Sequence, residues 1–144
     1  MDAERSRVLI TAHLDNAQLS RLVTKVARVC VKQVGRAPAG VNVPLLAWHY
    51  VRDRTRYAAE RGDQYIRTPR AFVRDRVGDC KTQAVFIAAL CARAGHSVVL
   101  RYIISDGNAH YSHVYAVVDG VPVDPLLEYG QQCRYLWHHD DRIQ

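Results

Sequence analysis

The feature that most restricts the fold of this chain is a helix that begins on a cysteine. From Cys80 to Ala94 the apolar residues Ala84, Val85, Ile87, Ala88, Leu90, Cys91 and Ala94 recur at helical spacing, and Gly95 follows where a left-handed cap would stop the helix. Cys80 therefore falls in the first turn. Unpaired backbone N–H groups and the positive end of the helix dipole there favour a thiolate over a thiol. Gly78, two residues earlier, lets backbone or substrate come close.

Downstream, Val98 to Ile104 reads as a strand, Asp106-Gly107-Asn108 as a turn, and His113 to Val118 as a second strand. Asp119-Gly120 signals a tight hairpin into a third extended piece, Val121 to Pro125. With Asp119 and Gly120 as the loop residues, Val118 opposes Val121 and Tyr115 opposes Asp124, which leaves His113 diagonally two residues on. Diagonal neighbours on one face lie within side-chain reach. Cys80, His113 and Asp124 thus have the order and spacing of a nucleophile, a base and an orienting carboxylate.

At these residues the chain resembles the transglutaminase-like superfamily of papain-like cysteine enzymes, from about Leu46 to about Leu126. The resemblance rests on Val77-Gly78-Asp79-Cys80-Lys81, on Ser112-His113-Val114-Tyr115, on Val123-Asp124-Pro125 and on their order around the helix ending at Gly95-His96. It implies an α+β fold, a papain-like transglutaminase core with N-terminal helices and the nucleophile helix packed on a small antiparallel β-sheet. It also implies that Cys80 is the nucleophile, His113 the general base and Asp124 the orienting group. Two departures bear on substrate preference. Lys81-Thr82 stands where many members have an acidic pair, and Tyr115 stands where many have Trp.

The implied reaction is acyl transfer from an amide or peptide through a Cys80 thioester, completed by hydrolysis in a peptidase or amidase or by an amine in a transamidase. No cofactor is implied, and the implied partner is a peptide or protein substrate. A catalytically silent binding module of the same fold is the alternative, and compact members of this kind also occur in phages and mobile elements, where association with the virion is an option. A side-chain donor upstream of the cysteine often completes the oxyanion hole in this family. Trp48, with its indole N–H, and Tyr57, with its phenol, are the two candidates for that donor, although core packing also accounts for both.

A chain of 144 residues is the size of one domain, 1–144, read as an N-terminal helical extension over 1–40 and a catalytic core over 41–130. In the extension, Asp15 or Asn16 caps a helix with Leu19, Leu22, Val23, Val26, Val29 and Cys30 on one stripe, ended by Gly35. Pro44 opens a second helix running to about Tyr57, with Leu45, Leu46, Trp48, Tyr50 and Val51 as its inner side. Ala58 to Arg67 reads as a loop beside the cleft, and Thr68-Pro69 starts a short helix. Residues 1–14 show no period.

The formal net charge of +6 raises nucleic acid as a partner, but basic residues are scattered from Arg5 to Arg142 without a run, as on solvated faces, and this argues against a nucleic-acid-binding domain. Cys30, Cys80, Cys91 and Cys133 are too irregularly spaced for a disulfide framework, which points to a reducing, cytoplasmic compartment. The start Met1-Asp2-Ala3-Glu4-Arg5 lacks the pattern of a signal peptide, and no apolar run is long enough to span a membrane. Neither a C-x-x-C pair nor a helical H-x-x-x-H is present, so no metal site is expected, and His138-His139-Asp140-Asp141 reads as a hydrated tail.

Overall fold

The computed structural model describes residues 8–10, 14–59, 65–107 and 109–144. At its centre is α4 (Cys80–Arg93), which is buried on nearly every side from Lys81 to Ala89. Asp79 caps it, accepting from the N–H groups of Lys81 and Thr82. At the other end the N–H of Gly95 returns to the Ala92 carbonyl and that of His96 to the Cys91 carbonyl, a Schellman-type stop. The sequence places both ends of this helix correctly to within a residue.

Among the described residues, three helices and a four-stranded sheet pack around α4, with two short strand pairs beside them. Helix α1 (Asn16–Val31) starts from a capping box on Asp15 and Gln18, and α2 (Val43–Arg54) starts from Asn42 with Pro44 in its first turn. Helix α3 (Pro69–Asp75) starts from the Thr68 cap. The apolar face of α1, with Val23, Ala27 and Cys30, joins Ala47, Trp48 and Val51 of α2 and the inner residues of α4 in one core.

The main sheet contains β5 (Val98–Ile104), β6 (His113–Val118), β7 (Val121–Val123) and β8 (Trp137–Arg142), in the order β7-β6-β5-β8 and antiparallel throughout. The β6–β7 turn has positive φ at both Asp119 (50°) and Gly120 (80°), the backbone that matches strand twist in a two-residue hairpin. Its register pairs Val118 with Val121 and Ala116 with Val123, as the sequence reading expects. Val114, Ala116 and Val118 face the helices, and Tyr115 and Val117 form a smaller cluster with Ile103 on the other face. The protein is an α+β fold. Among the described residues no helix is long and apolar enough to cross a membrane.

Four local expectations are corrected. The His138-His139-Asp140-Asp141 segment is the middle of an edge strand, because its backbone pairs with β5 and its acids find partners there: Asp140 takes two 2.9 Å bonds from Arg101, and Asp141 accepts from Thr24 at 2.7 Å. Helix α2 stops at Arg54, and Arg56-Tyr57 forms a short strand, β2, parallel to β4 (Val77–Gly78). Leu46 is exposed rather than inward. Part of the expected loop before Thr68 is a strand, β3 (Tyr65–Arg67), antiparallel to β1 (Val8–Ile10), with Ile66 fully buried. The Gly62-Asp63 portion of that loop lies outside the described residues.

Candidate active site

The first turn of α4 disposes of its backbone donors unequally. Asp79 satisfies the N–H groups of Lys81 and Thr82 with its side chain, and that of Gln83 with its carbonyl. The N–H of Cys80 is not taken by this cap. Gly78 permits this geometry, because a Cβ there would lie 2.6 Å from Thr82 Cγ2, in a fully buried side chain with no room to yield. The glycine is thus required by the close approach of β4 to α4.

The same two-residue bridge delivers Tyr57. Tyr57 pairs with Gly78 across β2 and β4, and the N–H of Ala58 donates to the Gly78 carbonyl at 3.1 Å. Two residues from Cys80 in register, the Tyr57 phenol lies beside Cys80 and lines the same cleft. Burial, then the charges of Cys80 and Asp79, push the phenol up to about 12, so it stays neutral and keeps its proton.

His113 is the first residue of β6, and Asp124 is the first residue beyond β7, one register step past the Ala116–Val123 pair. Their side chains meet across the end of the ladder. His113 Nε2 lies 2.6 Å from Asp124 Oδ2, and the other carboxylate oxygen accepts the Leu126 N–H at 3.1 Å. Asp124 is 1% exposed, so both oxygens of a buried anion have partners. With Nε2 committed to Asp124, Nδ1 is the ring nitrogen left for Cys80, which lines the same cleft and is close enough to act on His113.

Burial by itself would lower the pKa of His113, but the hydrogen bonds from Asp124 and Cys80, with their charges, outweigh it and raise the group from 6.5 to about 10. The folded chain therefore holds a proton that the unfolded chain gives up. The stability contributed by that proton is complete below about pH 6.5 and is lost as the pH rises through about 10. The difference in urea midpoint between the wild type and His113→Gln should shrink across this window. A difference independent of pH would show that His113 holds no such proton.

Trp48 does not supply an oxyanion donor. Its indole N–H is taken by the carbonyls of Asp124 and Leu127, both at 3.1 Å, in a buried position. The indole instead ties α2 to the backbone of the segment that carries Asp124. Asn16 plays a similar part on the other side, donating to the Ala109 carbonyl at 2.7 Å and accepting the Tyr111 N–H at 2.9 Å, which braces the turn leading into His113. Sequence reading missed both bonding roles, since neither residue type announces a partner more than seventy positions away.

Cys80, His113 and Tyr57 line one cleft of about 150 Å³ with Asp79, Lys81 and Tyr111. A larger hollow of about 1080 Å³ lies between α1 and the C-terminal end of the chain, lined by Lys25, Lys32 and Ile143, but it holds no nucleophile or base pair of this kind. All four cysteines are free. Cys30 and Cys91 are buried thiols pushed up to about 12 by that burial, with the Asp119 charge adding to Cys91. Cys133 is half-buried beside Ile103 and Tyr115 and is not among the residues that line the cleft. His110 is exposed in the turn, and among the described residues no group of three metal-binding side chains converges.

No family model matches the chain, and no curated protein does. Among solved structures it is similar to a candidate cysteine protease from Cytophaga hutchinsonii, at 16% identity and a TM-score of 0.44 over 78% of this chain. The chain spans 39% of that protein's length.

Proposed function

We propose that the protein is a transglutaminase-like cysteine enzyme that transfers an acyl group from an amide or peptide through a thioester at Cys80, with hydrolysis as the completing step. The observation that carries this reading is the line from Asp124 to His113 to Cys80, in which a 2.6 Å bond at Nε2 leaves Nδ1 for the thiol.

In this reading His113 holds the proton of Cys80, giving a thiolate–imidazolium pair, and the buried Asp124 stabilises the imidazolium. The thiolate attacks the amide carbonyl, and a C–S bond forms as the carbonyl π pair moves onto oxygen. The oxyanion would displace the contact between the Cys80 N–H and the neutral Tyr57 hydroxyl and accept from both. Collapse of the intermediate breaks the C–N bond, with the His113 proton passing to the leaving amine. Water, deprotonated by the then neutral His113, releases the acid and restores the thiol. A cleft of about 150 Å³ holds a scissile amide and a small side chain, so the remainder of the substrate lies on the surface, as an extended peptide would. An amine able to occupy the same position in place of water would give transamidation.

Incubation with an activated ester should leave one acyl group on the intact protein, seen by mass spectrometry and removed by hydroxylamine. Free acid as the product supports hydrolysis, and amide formed on adding a primary amine redirects the assignment to transamidation. Reduced, accessible Cys80 that yields no adduct with a range of esters and peptides would make the fold a silent binding module.

A further inference from the structure

Lys81 and Asp79 form a buried ion pair on either side of Cys80 in sequence. Their side chains are 5% and 6% exposed, although lysine is almost never buried to that degree without a partner. Asp79 Oδ1 accepts the N–H groups of Lys81 (3.1 Å) and Thr82 (3.3 Å), and Oδ2 meets the Lys81 ammonium. Capping does not require this charge, because asparagine caps a helix as well as aspartate does. Nor is a buried pair a strong source of stability, since desolvation offsets most of its attraction. Its position is more informative. Both residues line the cleft with Cys80, and the Asp79 charge reaches the Tyr57 phenol beside Cys80.

Among the described residues, few titratable groups face Cys80. Helix α4 contributes Asp79 and Lys81, β6 contributes His113 with Asp124 behind it, and β2 contributes Tyr57. Tyr102 and Tyr111 complete the lining, and burial raises both of these phenols, which keeps them neutral. A capping carboxylate next to the nucleophile would by itself oppose a second negative charge there. We propose that Lys81 is a positioning residue of this site: its buried ammonium holds the Asp79 carboxylate in the cap and cancels its charge, so that the cap does not resist formation of the Cys80 thiolate. This inference rests on the reading of Cys80 as the nucleophile.

The test is the pH dependence of Cys80 alkylation by iodoacetamide, followed residue by residue by mass spectrometry. Lys81→Met leaves Asp79 uncompensated and should raise the midpoint by about one pH unit. Lys81→Arg should stay close to the wild type. Asp79→Asn removes the carboxylate charge beside Cys80 while keeping a cap and should lower the midpoint, and the double variant Asp79→Asn/Lys81→Met should return toward the wild-type value. Shifts of opposite sign that cancel are not produced by loosened packing. Cys30 and Cys91, 1% and 0% exposed, report on the fold in the same sample by staying unlabelled. If Lys81→Met fails that control, Asp79→Asn alone decides. An unmoved midpoint in a folded single variant, or a double variant no nearer the wild type than Lys81→Met, overturns the proposal. Absence of any acyl adduct on the wild type would instead overturn the acyl-transfer reading, with the alkylation midpoints still measurable.

Discussion

Cys80→Ser should lower turnover by roughly 10⁴-fold or more and remove the hydroxylamine-labile adduct altogether. Oxygen is close in size to sulfur, so α4 and its cap should survive the change. The chemistry should not, because a hydroxyl has no accessible anion near neutral pH and His113 would have to take its proton during the attack rather than before it. No other thiol is placed to take over. Burial raises Cys30 and Cys91 to about 12 and keeps both from solvent, and Cys133, packed beside Tyr115, does not line the cleft that holds His113. Intact mass measured on the variant after incubation with the ester checks this. An adduct of undiminished yield would move the nucleophile elsewhere.

Asp124→Asn should cost about 10³–10⁴-fold in turnover while leaving thermal stability nearly unchanged. The reason lies in the second oxygen. The Leu126 N–H donates to Oδ1 at 3.1 Å, so an amide at this position keeps its oxygen there and turns its NH₂ toward His113. His113 Nε2 must then accept, which puts the ring proton on Nδ1, facing the thiol, where it cannot receive the proton of Cys80. The main chain should hold its place, because the two Trp48 bonds attach to the carbonyls of Asp124 and Leu127 and not to the carboxylate. Steady-state rates and a melting curve on the same preparation decide the matter. An unchanged rate would reduce Asp124 to a residue that ends a strand.

The parts of this molecule that could be read from the sequence are those in which neighbours along the chain decide the outcome. Val98–Ile104 and His113–Val118 are β-branched runs, and Asp119-Gly120 fixes the hairpin and with it the step that brings Asp124 toward His113. The helical run from Cys80 and the stop at Gly95 mark the two ends of α4 for the same local reasons, while the cap role of Asp79 went unread. What could not be read depends on distant partners. Arg56-Tyr57 carries no strand signal and is drawn out of helix only by pairing with Val77–Gly78. The strand β8 has two histidines and two aspartates at its centre, a composition that suggests solvent until Arg101 and Thr24 are seen to receive the acids. The burial of Lys81 is likewise invisible beforehand, since a charged residue two positions from another ordinarily reads as solvated.

The three side chains all stand at the ends of their elements: Cys80 opens α4, His113 opens β6 and Asp124 follows the last residue of β7. Element ends open at lower free energy than their middles, so the site can come apart while the sheet and the body of α4 remain intact. On warming, competence should therefore be lost ahead of secondary structure, at the temperature where the Asp79 cap and the Asn16 and Trp48 braces give way. A bound substrate spanning all three ends would join them into one cooperative unit, and its presence should raise the temperature of inactivation more than that of global melting.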